Sequence, residues 1–217
     1  MVYKVIGLMS GSSLDGLDIA YVHLQERVVT SAKADRQWEY EIVHAVCYPY
    51  PEQWKRRLAE APLLSALDYQ LLHVEYGRWL GTEVLRMIEE FGLHYQVQLI
   101  ASHGHTVFHV PERRMTAQIG DGATLAAVTR INVVSDLRAM DLALGGQGAP
   151  IVPIGEKLLL PGMGVVVPDA QLTDYKEALV MALMGVLRWR EENNVLASVT
   201  GASRDSIGGA VWIGQEG

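Results

Sequence analysis

Three stretches of the chain hold residues whose types and spacing can do chemistry. Directly after the apolar run Val2–Met9 comes Ser10-Gly11-Ser12-Ser13-Leu14-Asp15-Gly16-Leu17-Asp18. Glycines at such a place let backbone N–H groups converge on an anion, and serine hydroxyls add donors that match phosphate oxygens. Asp15 offers a hard carboxylate to Mg²⁺, directly or through water. The string is neither a Walker A loop nor a dinucleotide-binding fingerprint, lacking the spacing of both. A β-turn with glycine at positive φ accounts for the same residues equally well.

The second stretch holds His103, His105 and His109. Spacing of two puts alternate strand residues on one face, which suits a metal, but no cysteine or carboxylate cluster completes such a site. Hydrogen bonding to a polar ligand, or plain packing, fits better. Gln118 and Asp121 follow, flanking Ile119-Gly120, as polar groups that can read sugar hydroxyls or simply stabilise a turn. The third is Asp136, at the end of an apolar run and before the glycine-rich Leu144–Pro150. A carboxylate there can take a proton from water or a hydroxyl. A cap, or an ion pair with Arg138, is the plainer reading, and composition favours it.

The elements that must position these residues follow from the apolar patterning. Val2–Met9 and Ile19–Leu24 read as strands joined by the polar turn Ser10–Asp18, with Trp38–Val46 a third strand. Gln25–Gln37 reads as an exposed loop. Pro51 opens a helix through Ala61, and Leu64–Phe91 is a longer helix carrying Leu67, Leu71, Val74, Trp79, Leu80, Val84 and Ile88. Gly77 and Gly81 signal either a kink or a close approach. Gln98–Ser102, Thr106–Val110, Met115–Ile119 and Ile131–Ser135 read as strands, Ala123–Thr129 as a short helix. A helix begins after Pro153, Asp174–Arg190 forms another, and Asn193–Ser203 is a polar loop before the apolar Gly209–Ile213. Strands first, then strands alternating with helices, predict an α/β fold with a mixed sheet.

The bulk properties narrow the partners. A chain of 217 residues, 49% hydrophobic and 20% charged, suits one large globular domain or two small ones. A net charge of −7 argues against nucleic acid and anionic membranes. No apolar stretch is long enough to span a bilayer and no leader pattern opens the chain, so the expected location is the cytoplasm. The single cysteine, Cys47, cannot pair within the chain and reads as a small buried hydrophobe.

Taken together, Val5–Asp18, Ile100–Val110 with Gln118–Asp121, and Val133–Pro153 resemble three signature blocks of the anhydro-N-acetylmuramic acid kinases. Val199–Ser203 with Gly208-Gly209 resembles the family's C-terminal block. The resemblance implies one lobe of the two-lobed fold of sugar kinases, actin and heat-shock ATPases, with a ribonuclease-H-like mixed sheet opened by a β-hairpin. It implies an ATP- and Mg²⁺-dependent bacterial enzyme of cell-wall recycling. Such an enzyme opens the bridge of 1,6-anhydro-N-acetylmuramic acid with water and phosphorylates the 6-position. By it, Gly11–Asp18 is the first phosphate loop with Asp15 at the metal, and Asp136 the base that activates water. His103, His105, Gln118, Asp121 and Arg138 are then the sugar contacts.

Two substitutions depart from the family pattern: Ser12 replaces a threonine and keeps its hydroxyl, and His105 replaces a glutamine. A larger departure lies between Val152 and Val165, where several family blocks are missing and only Ile154–Gly164 remains. This implies a second lobe excised at Pro161–Gly164, with Asp174–Arg190 as the helix returning onto the first lobe. Losing one wall of a phosphoryl-transfer cleft should be severe, because that chemistry rests on positioning. A half-kinase that binds phosphate or sugar weakly, or forms a homodimer through its uncovered face, is therefore the alternative to an active kinase. A glycoside hydrolase fits less well, since no second carboxylate is paired with Asp136.

Overall fold

A computed structural model describes residues 1–11, 13–27, 37–159 and 170–214. Val2–Ser10 (β1) and Gly16–Arg27 (β2) form the expected hairpin, but pairing runs on until Ser10 faces Leu17. The turn therefore narrows to residues 11–15, and Gly16, Leu17 and Asp18 are strand residues. Gln37–Pro49 (β3) pairs antiparallel with β2, with Arg27 opposite Gln37. The ends of the predicted loop Gln25–Gln37 thus belong to the sheet, because the ladder continues through polar residues at an open edge.

Glu52–Glu60 (α1) follows Pro51, and Ala66–Glu90 (α2) starts at a Ser65 cap. After them come Leu99–Ser102 (β4), His105–Val110 (β5), Met115–Ile119 (β6), Gly122–Thr129 (α3), Asn132–Ser135 (β7) and Ala139–Ala143 (α4). Pro153–Leu159 (α5), Ala170–Trp189 (α6), Ala197–Thr200 (α7) and Ala210–Trp212 (β8) complete the described elements. The junction at Pro161–Gly164 and the Val165–Val167 run lie outside the described residues, as does Ser12.

The main sheet runs β3-β2-β1-β4-β7-β8, with β1, β4 and β7 parallel and β8 antiparallel at the far edge. This is the mixed α/β sheet opened by a hairpin that the resemblance implies. Alternation along β1 sends Val5 to one face and Ile6 and Leu8 to the other. On the first face Val5, Ala20 and Val22 pack under Leu179, Leu183 and Val186 of α6. On the second, Ile6, Leu8 and Ile19 meet Leu72, Tyr76, Leu80 and Val84 of α2. The helix expected to return onto the sheet lies against it, with Gly7 of β1 letting the Ala178 backbone approach.

Several expectations are corrected. Leu67, Leu71 and Val74 are 68%, 50% and 39% exposed, so the buried face of α2 is set instead by Leu72, Tyr76, Leu80, Val84 and Met87. The helix carries two apolar stripes, and periodicity alone does not say which one the sheet takes. Gly77 and Gly81 mark close approach within one continuous helix: a Cβ on Gly77 would stand 2.6 Å from the Asp121 carbonyl oxygen. Cys47 is exposed, not buried, because β3 is an edge strand of the sheet. Asn193–Ser203 is not simply a polar loop. It contains α7, and its Asn194 is fully buried, donating to the Met184 and Gly208 carbonyls.

Candidate active site

Because β1, β4 and β7 are parallel neighbours, their C-terminal ends open on one edge of the sheet, where ligands of such sheets bind. The turn 11–15 leaves β1 there. His103 leaves β4, its N–H bonded to the Leu8 carbonyl (3.1 Å), and Asp136 leaves β7 in a left-handed conformation, φ 57°. Three of the stretches singled out above are thereby brought to one rim.

Behind β4 and β7 the rim holds a cavity of about 260 Å³. Its lining includes Ser102, His103, Gln118, Asp121, Asp136 and, from α2, His73. Gln118 donates to the hydroxyls of Thr116 (2.7 Å) and Thr106 (3.3 Å), while its Oε1 has no partner among the described residues. The Ser102 hydroxyl, 1% exposed, likewise has none. Leaving a buried polar group unpaired costs about 1–3 kcal/mol, so two at one cavity mark a place prepared for a polar ligand.

Asp136 is solvent-accessible at this cavity, yet enough protein surrounds the carboxyl to push its pKa above the ordinary value. It caps no helix, since α4 begins after Arg138 without a side-chain cap. Nor does Arg138 pair with it. The guanidinium instead donates to His103 Nε2 (2.8 Å) and to the Gly148 carbonyl (2.7 Å), and Arg138 is not part of the cavity wall. His103 Nδ1 gives its proton to the Gly104 carbonyl (2.8 Å), which leaves Nε2 free to accept from Arg138. Burial, then the Arg138 charge, lowers the His103 pKa to about 4.

His105 stands apart from the cavity. Its Nδ1 meets the Ser10 hydroxyl (3.1 Å), which also meets Tyr50 (2.7 Å), and Tyr50 in turn meets Tyr76. This buried chain ties the end of β1, and so the start of the turn, to α2. Burial lowers the pKa of His105 as well. His109 faces Thr116 (3.2 Å), so the three histidines serve three different partners.

At the turn itself Gly11 is half-buried, Ser13 and Asp15 are exposed, and Leu14 is left-handed at φ 58°. Gly16 is required sterically, since a Cβ would stand 2.6 Å from the Cys47 sulfur. Leu17 is fully buried in the core, so only its backbone is on offer to a ligand. Asp18 is bonded to the Cys47 thiol, and burial raises its pKa. Among the described residues no cluster of three metal-ligating side chains forms. A nucleotide-bound Mg²⁺ needs only one or two carboxylates beside phosphates and water, and Asp15 is an exposed carboxylate at this turn.

A family model described as anhydro-N-acetylmuramic acid kinase matches residues 3–167. The chain belongs to the anhydro-N-acetylmuramic acid kinase family. Similar relatives carry that name in Bacillus cereus (strain G9842), 36% identical over 165 residues, covering 71% of this chain and 41% of the relative. In Picosynechococcus sp. (strain PCC 7002) the identity is 37% over 163 residues, 72% of this chain and 40% of the relative. The chain spans about two fifths of the length of the curated relatives it matches. The family match ends at residue 167, yet the cavity wall also takes in Ala210 and Trp212 of β8. Trp212 donates its indole N–H to the Ser135 hydroxyl (3.1 Å), over a Gly122 whose Cβ would displace it.

The sequence reading passed over His73, Ser102 and Trp212. Ser102 ends a parallel strand, which is a readable signal; a lone histidine on α2 and a tryptophan far down the chain carry none.

Proposed function

We propose that this chain is the sugar- and phosphate-binding lobe of an ATP-dependent kinase of 1,6-anhydro-N-acetylmuramic acid. The observation that carries the reading is Asp136 sharing a cavity with two buried oxygens, Ser102 Oγ and Gln118 Oε1, that have no partner among the described residues. Gln118, Ser102 and Asp121 hold the sugar, while His103 shapes the wall with its orientation fixed by Arg138. Asp136 takes a proton from a water that attacks C1. The C1–O6 bond breaks, and O6 accepts the γ-phosphoryl group of ATP, releasing ADP. The 11–15 turn offers backbone N–H groups and the Ser13 hydroxyl to the phosphates. Asp15 would hold a Mg²⁺ there, which would supply positive charge against the phosphates. His105 acts on the turn through Ser10, so its replacement of the family's glutamine bears on the phosphate side more than on the sugar.

A second lobe excised at Pro161–Gly164 would leave the adenosine side without a wall, and turnover by this chain alone is then slight or absent. The homodimer alternative draws support from the exposed row Leu67, Leu71 and Val74 on α2. The test is Asp136→Asn in a version of the protein carrying both lobes. The change keeps shape and removes the proton acceptor, so sugar binding should persist while turnover falls at least about a hundredfold. The acid limb of the wild-type profile should lie above the ordinary carboxyl range, because burial raises this pKa. Unchanged turnover with lowered melting temperature would make Asp136 structural and overturn the reading.

A further inference from the structure

His73 lies outside the motifs singled out in the sequence, yet it lines the cavity. Its ring is fixed by the backbone: the Gly120 N–H donates to Nδ1 (3.1 Å). Nδ1 is therefore an acceptor, and in the neutral imidazole the proton must be on Nε2. That Nε2–H stands 3.7 Å from Asp121 Oδ1. The other Asp121 oxygen is occupied at the start of α3, accepting from the Thr124 N–H (2.9 Å) and hydroxyl. A separation of 3.7 Å is too long for a direct hydrogen bond, but one oxygen can lie about 2.8 Å from both atoms. That oxygen must accept from Nε2–H and donate to a carboxylate. Water does both while the cavity is empty of ligand, and among the oxygens of a bound sugar only a hydroxyl can take its place; an ether cannot donate, and a carboxylate would meet the Asp121 charge.

We propose that His73 and Asp121 form a donor–acceptor pair that reads the free 4-hydroxyl of the anhydrosugar, making His73 a specificity-determining residue. This rests on the sugar reading given above. In 1,6-anhydro-N-acetylmuramic acid O1 and O6 are one bridging ether, O3 carries the lactyl group and N2 is acylated. The 4-hydroxyl is the one alcohol left. A sugar still glycosylated at O4 has no proton to give Asp121 and should bind this pair more weakly. Burial lowers the His73 pKa, against the opposing pull of Asp121, which keeps the ring neutral as the pairing requires.

The experiment titrates the 217-residue chain with 1,6-anhydro-N-acetylmuramic acid and its 4-deoxy analogue, in wild type and His73→Asn. Asparagine can still accept from Gly120 N–H but has no group at the Nε2 position. Wild type should bind the parent sugar about tenfold more tightly than the analogue, the usual effect of one hydrogen bond in a closed site, and His73→Asn should lose that preference. A variant that keeps the wild-type preference, or a wild type that shows none, overturns the inference alone. Should wild type bind neither sugar, the proposed function fails with it. Side-chain ¹⁵N spectra of wild type give an independent check that needs no variant. Nδ1 should be unprotonated and His73 should shift with the parent sugar; a protonated Nδ1, or an unmoved His73 while other cavity residues shift, contradicts the assignment.

Discussion

The turn after β1 and the cavity behind β4 and β7 share one rim of the sheet but are built on different terms. The cavity is made of side chains whose directions are already fixed: Gln118 by two threonines, His103 by Arg138, His73 by the Gly120 amide. The turn is made of backbone and exposed side chains, with Ser13 and Asp15 open to solvent. A site of the first kind holds its ligand with what one lobe provides. One of the second kind needs an opposing wall to exclude water before its dipoles count for much. On the proposed reading the cavity is the half that this chain can supply unaided.

His103 gives the largest handle on the fixed half. Its pKa falls from 6.5 in the unfolded chain to about 4 in the fold. Between those values the unfolded chain takes up a proton that the folded one refuses. Stability is thus complete above pH 6.5 and drains away as pH falls toward 4, by about 3 kcal/mol. His105 and His73, whose pKa values are also lowered, act in the same direction. Denaturation of His103→Gln should show a flatter dependence than wild type across that window. An identical dependence in both proteins would remove His103 from the account.

Two glycine substitutions sharpen the contrast at smaller cost. Gly77→Ala places a methyl 2.6 Å from the Asp121 carbonyl oxygen and 2.8 Å from its nitrogen, so α2 or the cavity wall must move. Even after the gain in helix propensity, a loss of about 2 kcal/mol is expected, together with weakened sugar binding. Gly11→Ala meets nothing closer than the Ser13 hydroxyl at 3.4 Å and should change stability by no more than about 0.5 kcal/mol. Urea denaturation of both variants measures the difference; equal losses would mean the turn is as tightly packed as the cavity.

How far the sequence foretold this depends on which physical signal each element carries. Apolar runs announced β1, β4 and β7, and their alternation with helices announced a mixed α/β sheet; that these three strands lie parallel and open on one edge came from the structure. Asp136 and Gln118 were readable as polar residues set against apolar runs. The stripe Leu67–Val74 was visible too, but which of two stripes a helix buries depends on what lies across from it. Cys47 misled because β3 is an edge strand, and edges are a property of the whole sheet. His73 joins the cavity only because Gly77 lets α2 approach the Asp121 backbone, a contact between residues 44 apart in the chain. No local pattern encodes it.

Calorimetric titration of this chain with 1,6-anhydro-N-acetylmuramic acid, then with ATP, triphosphate and adenosine, tests the central claim most directly. One-to-one binding of the sugar is predicted, with only weak affinity for ATP and triphosphate and none for adenosine. Tight adenosine binding with no heat from the sugar would contradict it.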